Sequence, residues 1–285
     1  MPDRLAKASG TYNGRWDLAQ NNELHYWETW LGKDVQLKII GEKLWVSHYN
    51  ILKDLISPTN DTRVLEIGTG PMPLIHHLPD CSKYAIDSMM RFFVSKFAMP
   101  SDINYLGGVG EAMPFDENCF DLIVASNVLD HVQNPLSFCR EMHRVLRTNG
   151  LLCLTVDCYS TIFSLYRSVW EKLGRGDKYH PFSFNPRAIK RLISDSDLEL
   201  TYMENQREYR KEIFREFLEG SKTAEISRRN DKEKRIPESN RHLRDRQQIR
   251  LRITRPTKKL LGFDNRDTGH FFVISRKTAR EESTR

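Results

Sequence analysis

Short apolar segments alternate with helical segments between Arg63 and Val156, and this alternation constrains the fold more than any other feature of the chain. The predicted strands are 63–67, 83–86, 103–106, 120–125, 151–156, 198–203 and 269–275. The predicted helices are 17–31, 42–56, 89–97, 134–147, 161–173 and 186–194. Strands and helices in this rhythm form βαβ units. The sequence therefore predicts an α/β fold: a Rossmann-like, doubly wound, mostly parallel seven-stranded sheet with helices on both faces.

Charge divides the chain into two parts. The 285 residues carry a net charge of +6, but the first 205 sum to −4 and residues 206–285 to +10. We expect an N-terminal helical lid over residues 1–58, a core over 59–205, a basic, mainly helical insertion over 206–266, and a last strand with a polar tail over 267–285. The basic insertion either attracts phosphate groups or is a solvated helical segment whose charges stay in water.

Composition also indicates the cellular compartment in which the protein functions. No apolar run approaches the ~18 residues that a membrane-spanning helix requires. Met1 to Gly10 is polar, and the five cysteines include no Cys-x-x-Cys pair. We therefore expect a cytoplasmic protein with no transmembrane segment, disulfide framework or structural zinc site. Contact of the basic insertion with an anionic membrane surface is an alternative that the charge allows.

A glycine loop, Gly68-Thr69-Gly70, follows the first predicted strand. Position 73 is proline, so the third glycine of a dinucleotide-binding fingerprint is missing, and no Gly-Lys-Ser/Thr triplet indicates an NTPase. Glu66 precedes the loop, where an acid suits a cationic ligand better than a pyrophosphate. Asp87 ends the second strand and can accept hydrogen bonds from both hydroxyls of a ribose, or cap the following helix.

Four segments, 64–74, 84–87, 110–132 and 140–156, together resemble consecutive motifs of class I S-adenosylmethionine-dependent methyltransferases, of the methyltransferase type 11-like family. Residues 180–193 and the last strand resemble the family less specifically. The resemblance implies S-adenosyl-L-methionine as cofactor and S-adenosyl-L-homocysteine as product. It implies a cofactor site formed by Glu66, Gly68, Thr69, Gly70, Asp87, Ser88, Met89, Gly110, Glu111, Ala112, Ser126 and Asn127.

Within that site, the resemblance assigns the glycine loop and Glu66 to the methionine part and Asp87 to the ribose. It assigns Gly110–Ala112 to the border of the adenine, and Ser126 and Asn127 to the floor beneath the sulfonium. The chain departs from the family pattern at Val109, where many relatives have an Asp that binds the adenine amine. It also has Met72 and Pro73 where relatives often have glycine and a small polar residue.

The acceptor should meet the methyl group beyond the fourth strand, where His131 is the candidate general base. A histidine at this place is also frequent in the family as a cofactor-pocket residue. His180 contacts the acceptor or packs its own turn. Tyr12 and Trp16 are candidates for a lid and acceptor wall, although the aromatic N-terminal spacing also suits core packing. We expect no metal, because alignment supplies most of the rate of methyl transfer.

Ser126-Asn127-Val128-Leu129 stands where base-amino methyltransferases usually carry Asp/Asn-Pro-Pro-aromatic, so methylation of exocyclic adenine nitrogens is disfavoured. The sequence therefore predicts an S-adenosylmethionine-dependent methyltransferase that acts on a small molecule, at a hydroxyl of a glycan or another metabolite. Two alternatives stay open. One is an RNA methyltransferase that grips RNA through residues 228–259. The other is a non-catalytic scaffold that binds the cofactor.

Overall fold

A computed structural model describes residues 13–33, 42, 46, 48, 49, 52, 55–79, 81–172, 179–206 and 269–278. The predicted basic insertion falls almost entirely on residues 207–268 and, like Tyr12, lies outside the described residues. Among the helices that are described, none has the length and apolar character needed to cross a membrane.

The described chain forms seven strands, five α-helices and one 3-10 helix in the order expected for βαβ units. The strands are β1 (Arg63–Ile67), β2 (Ser82–Asp87), β3 (Asn104–Gly107), β4 (Phe120–Ser126), β5 (Leu146–Cys158), β6 (Glu199–Asn205) and β7 (Gly269–Arg276). The helices are α1 (Asn13–Glu28), α2 (Met90–Lys96), α3 (Pro135–Val145), α4 (Thr161–Lys172) and α5 (Pro186–Ser194), with the 3-10 helix at Leu74–His77. The residues described between Glu42 and Leu55 are helical, within the predicted helix 42–56.

All seven strands pair in one sheet, in the order β3-β2-β1-β4-β5-β7-β6. Only β7 runs antiparallel to its neighbours, β5 and β6, and the other pairs are parallel. The strand order reverses between β1 and β4, and in open α/β sheets ligands bind at such a reversal, beyond the carboxyl ends of the strands. The predicted mostly parallel, seven-stranded α/β fold is confirmed.

Side chains of successive strand residues point to opposite faces of the sheet, and each face has its own apolar core. Leu65 and Ile67 of β1 pack against the face covered by α3 and α5, where Phe138 is fully buried. Val64 of β1 packs on the other face, together with Met90 at the start of α2. The helices therefore cover both faces, as the sequence predicts.

Local capping explains where two helices begin. The side chain of Asn134 accepts a hydrogen bond from the backbone N–H of Ser137 at 3.0 Å, and proline follows at the first helical position of α3. Asn185 caps α5 in the same way, with Ala188 as donor at 2.9 Å. Asparagine caps followed by proline are strong helix-start signals, and both starts agree with the sequence.

Several predicted elements differ in extent. The predicted helix 134–147 ends at Val145, because Leu146 and Arg147 belong to β5. The predicted strand 151–156 begins earlier, at Leu146, because Leu146 pairs with Phe120 before an irregularity around Asn149 shifts the register. The predicted helix 17–31 is displaced toward the N-terminus, to Asn13–Glu28. Leu18 on this helix is 47% exposed, so its side chain contributes little to a core.

The glycine at position 110 should be needed for packing. A Cβ built on Gly110 would overlap the ring of Phe138, which is fully buried on α3. We expect Gly110→Ala to lower the free energy of unfolding by about 1–3 kcal/mol, because a close-packed core relaxes poorly. Gly107→Ala is the control, since a Cβ there meets no atom within 4 Å. Denaturant unfolding measures both variants, and equal stabilities would contradict the overlap.

Candidate functional site

A cavity of about 610 Å³ lies at the carboxyl ends of β1, β2 and β4. Its walls bring together the predicted cofactor residues Gly68, Thr69, Gly70, Asp87, Ser88, Met89, Gly110, Glu111, Ser126 and Asn127. The predicted acceptor-side residues Trp16, His131 and His180 line the same cavity. Glu66 and Ala112 do not line it: Glu66 is buried beneath the loop and Ala112 is exposed.

The glycine loop bends back at the tip of β1 through two left-handed residues. Gly68 has φ of 68° and Gly70 has φ of 56°, which side chains with a Cβ adopt only with strain. The backbone N–H of Gly68 donates to the carbonyl of Ile86 at 2.9 Å, which ties the loop to β2. A Cβ on Gly68 would also overlap Val128. The loop therefore presents bare backbone to the cavity.

Glu66 lies beneath the glycine loop and anchors the segment that follows it. Its two carboxylate oxygens accept hydrogen bonds from the backbone N–H groups of Leu74 at 3.2 Å and Ile75 at 3.1 Å. Burial raises the pKa of Glu66 to about 8, while these two hydrogen bonds act in the opposite direction. The geometry gives Glu66 a structural role in fixing the loop, and its contact with the cofactor stays a prediction.

Asp87 ties the glycine loop to the residues that lead into α2, and it does not cap that helix, whose N-cap residue is Met89 without a side-chain cap. Its Oδ2 accepts a hydrogen bond from the N–H of Gly70 at 3.1 Å, and its Oδ1 accepts one from Met89 at 2.8 Å. Burial raises the pKa of this carboxyl. Each carboxylate oxygen can accept a second hydrogen bond, and Asp87 lines the cavity. The residue orders its surroundings and keeps acceptor capacity for a ligand.

Glu111 lines the cavity and orders the residues that lead into α3. Its Oε1 accepts hydrogen bonds from the backbone N–H groups of Gln133 at 2.6 Å and Asn134 at 3.1 Å. The same carboxylate therefore fixes the entry to α3. Val109 also lines the cavity, so the adenine contact that many relatives make with an Asp has no equivalent side chain at that position.

The floor of the cavity is polar. Ser126 Oγ and Thr155 Oγ1 are hydrogen-bonded at 2.9 Å, and Thr155 Oγ1 also accepts from the N–H of Asn127 at 3.1 Å. Asn127 itself has φ of 53°. Its Oδ1 and the Oγ1 of Thr69 are buried without a hydrogen-bond partner. Such groups are rare unless a ligand or water satisfies them, so these two atoms indicate a polar ligand.

Asp130, His131 and His180 lie close together beside the cavity. His131 Nε2 lies 3.8 Å from Asp130 Oδ1, His180 Nε2 lies 3.9 Å from Asp130 Oδ2, and the two imidazole rings are 4.7 Å apart. One ligand atom from each residue lies within 4.8 Å of the others, a grouping that could hold a metal ion. The expectation that no metal takes part stays a prediction.

Helix α1 forms one wall of the cavity, which the apolar periodicity of its sequence did not reveal. Trp16, Gln20, Glu23 and Trp27 all line the cavity. Gln20 Oε1 accepts a hydrogen bond from Ser88 Oγ at 2.7 Å, and Trp27 packs edge-on against Phe93 of α2 with ring centroids 5.6 Å apart. Trp16 was predicted as a wall residue. The spacing of all four residues on one helical face, which mixes tryptophan with polar groups, is the signal that could have identified Gln20, Glu23 and Trp27.

Other lining residues were also missed. His48 and His270 come from distant parts of the chain, and Tyr179 precedes His180. His270 Nδ1 lies 2.8 Å from Asp157 Oδ1, across the pairing of β5 with β7. No local motif marks these residues, because only the folded sheet brings them to the cavity.

Comparison with known proteins agrees with this geometry. A family model described as a methyltransferase domain matches residues 65–154. Demethylmenaquinone methyltransferase of Staphylococcus epidermidis is 34% identical over 28% of this chain and 36% of its own length. The enzyme of the same name from Roseiflexus castenholzii is 34% identical over 36% of this chain and 46% of its own. The chain thus aligns with less than half of each of these curated relatives.

Solved structures share the fold. Phosphoethanolamine N-methyltransferase 2 of Haemonchus contortus, in complex with S-adenosyl-L-methionine, superposes with a TM-score of 0.58 at 16% identity, over 82% of this chain and 53% of the other. Geranyl diphosphate C-methyltransferase of Streptomyces coelicolor A3(2) superposes with a TM-score of 0.52 at 12% identity, over 86% of this chain and 84% of the other.

The buried carboxyl of Glu66 should make stability depend on pH. In the folded chain its pKa is about 8, against an ordinary value of 4.5, so between these values the folded state binds a proton that the unfolded state lacks. The free energy of unfolding should therefore fall as pH rises through this window. Glu66→Gln should flatten that fall, and the exposed Glu117→Gln should not. Denaturant unfolding at pH 5 to 8.5 measures it, and parallel curves for Glu66→Gln and the unsubstituted protein would refute the assignment.

Proposed function

We propose that this chain, whose residues 65–154 match a methyltransferase domain, is a class I S-adenosylmethionine-dependent methyltransferase that methylates a hydroxyl group of a small-molecule acceptor. One observation carries the proposal. A single cavity is lined both by the cofactor-type residues of β1, β2 and β4 and by the imidazoles of His131 and His180. S-adenosylmethionine would lie against the first set of residues, with the acceptor beside the imidazoles.

The residues present fit this cofactor. Asp87 keeps acceptor capacity for ribose hydroxyls, and the bare backbone of Gly68 and Gly70 allows close approach of the methionine part. The unpaired Oδ1 of Asn127 and Oγ1 of Thr69 offer acceptors to its polar groups. When bound, S-adenosylmethionine would supply the methyl group: the acceptor oxygen would bond to the methyl carbon as the carbon–sulfur bond breaks, S-adenosylhomocysteine would leave, and the hydroxyl would give up its proton.

At the acceptor end, His131 takes that proton. Its side chain is 14% exposed and lines the cavity, and Asp130 lies close enough to stabilise the imidazolium that forms. Helix α1 lines the same cavity with Trp16 and Trp27. Because alignment contributes most of the rate of a direct displacement, the task of the walls is to hold the acceptor oxygen in line with the methyl group.

The walls favour an uncharged, ring-bearing acceptor. The described lining includes the rings of Trp16, Tyr26, Trp27, Trp30 and Tyr179, and none of its described residues is a lysine or arginine. A phosphate next to the methyl group therefore finds no cation in this part of the chain. Two relatives are named for demethylmenaquinone, which places quinol-type rings beside glycan hydroxyls among the acceptors to test. RNA or membrane contact would depend on residues 228–259, outside the described chain.

Cofactor binding should depend on Asp87. We expect S-adenosylmethionine and S-adenosylhomocysteine to bind the purified protein, and Asp87→Asn to weaken both about tenfold or more, since a hydrogen bond to a charged group contributes about 1.5–3 kcal/mol. Isothermal titration calorimetry measures the affinities, with exposed Asp116→Asn as control and thermal unfolding to check that the variant folds. Unchanged affinity in a folded Asp87→Asn variant would remove the ribose assignment.

Turnover should depend on His131. Release of S-adenosylhomocysteine, measured with quinol-type rings and with glycans, identifies an acceptor. His131→Ala should then lower turnover about 10²-fold or more, as expected for loss of a general base, with a much smaller effect on cofactor affinity. The exposed His25→Ala serves as control. A His131→Ala variant that turns over normally at every pH would exclude the base role.

A further inference from the structure

The two ring nitrogens of His131 face different surroundings. Nδ1 is buried without a hydrogen bond, and the nearest carboxylate oxygen recorded for it is Glu23 Oε1, at 3.7 Å. Nε2, by contrast, is not a buried atom without a partner. It is therefore the ring nitrogen that is available to a ligand in the cavity that His131 lines. Glu23 lies in the middle of α1, far from His131 in sequence, and its side chain is only 18% exposed.

We propose that Glu23 is a positioning residue for His131. Its carboxylate accepts a hydrogen bond from the N–H of Nδ1, so that Nε2 remains the basic nitrogen on the acceptor side. The inference rests on the proposed function, because it assigns the nitrogen that takes the acceptor's proton. It adds to the site a residue that lies in no motif of the methyltransferase domain.

The chemistry follows from the two neutral forms of imidazole. One nitrogen carries a proton and the other accepts one, and a hydrogen bond to the first decides which is which. A carboxylate behind one nitrogen selects the tautomer that leaves the opposite nitrogen basic, and it stabilises the imidazolium after proton transfer. The 3.7 Å separation exceeds a hydrogen bond, and such contacts tighten when the reacting complex forms.

Several charged groups surround this pair. Asp130 lies near Nε2 of His131 and also near His180, and Asp87 interacts with His131 from the end of β2. Burial raises the pKa of Glu23, and the nearby imidazoles of His131 and His180 oppose that effect. Glu23 favours a proton on Nδ1 of His131, and Asp130 favours a proton on Nε2, so the two carboxylates favour opposite tautomers. The tautomer that His131 adopts therefore shows which carboxylate orients the ring.

The position of Glu23 on α1 links the base to the cofactor wall. Gln20, one turn earlier, accepts a hydrogen bond from Ser88 next to Asp87. Trp27, one turn later, lies 3.5 Å from the place of a Cβ on Gly70. The helix that covers the glycine loop and the ribose position thus also delivers the carboxylate to Nδ1. Orientation of the base and closure of the cofactor wall come from one helix.

The tautomer can be measured on the unsubstituted full chain. Ring ¹⁵N shifts of histidine-labelled protein, with the His131 signal assigned by its loss in His131→Ala, distinguish a protonated from an unprotonated nitrogen. We expect, with and without S-adenosylhomocysteine, a protonated Nδ1 and an unprotonated Nε2 for the neutral ring. The reverse pattern would show that Asp130 orients the ring and would overturn the proposal. This spectrum needs no acceptor, so its result is separate from whether the chain transfers methyl groups.

Substitution of Glu23 gives the second measurement. Glu23→Gln should move His131 toward the Nε2-protonated tautomer and lower turnover at least about tenfold, with a small effect on cofactor affinity measured by calorimetry. Glu23→Asp keeps the charge and should restore part of the wild-type spectrum. Glu28→Gln, on an exposed side of the same helix, is the matched control. An unchanged tautomer in Glu23→Gln would overturn the proposal, even if turnover fell.

Discussion

The cavity depends on a carboxyl group that has no direct access to it. Glu66 is 1% exposed at the end of β1, and its oxygens hold the N–H groups at the start of the 3-10 helix. A buried carboxyl without partners would be strongly destabilising, so these bonds and the protonation favoured by burial are what make the position tolerable. Through them the glycine loop is held between β1 and the chain that leaves it.

Asp87 repeats this arrangement on the neighbouring strand. It holds Gly70 from the loop and Met89 from the start of α2 with one oxygen each. The two acids therefore fix the same short loop from below and from the side. Ordering of this kind lowers the entropy that the loop loses when a ligand binds, because the backbone already has its bound shape.

Features set by neighbouring residues were predicted from the sequence. The order of the strands follows from apolar segments separated by turns, and the starts of α3 and α5 follow from Asn-Pro pairs that act within one helical turn. The glycine loop and Asp87 were found because their spacing along the chain is characteristic. Each of these depends on contacts that a short segment makes with itself or with the next strand.

Features set by packing between distant segments were not predicted from the sequence. The sequence predicted a helix here and Trp16 as a wall residue, but not that Gln20, Glu23 and Trp27 of α1 also line the cavity. Nothing local to Glu23 indicates that His131 will lie 3.7 Å away, and nothing local to His270 indicates its contact with Asp157. The early start of β5 depends likewise on its pairing with Phe120 in β4.

The position of β7 has a consequence for the order in which the chain assembles. Of the described strands this one comes last in the chain, but it lies inside the sheet, between β5 and β6. During synthesis, β6 leaves the ribosome before β7, the strand with which it pairs in the folded sheet. The described sheet therefore closes only after residues 269–276 have been made. Because His270 on β7 forms part of the cavity wall, the pocket is completed in the same step.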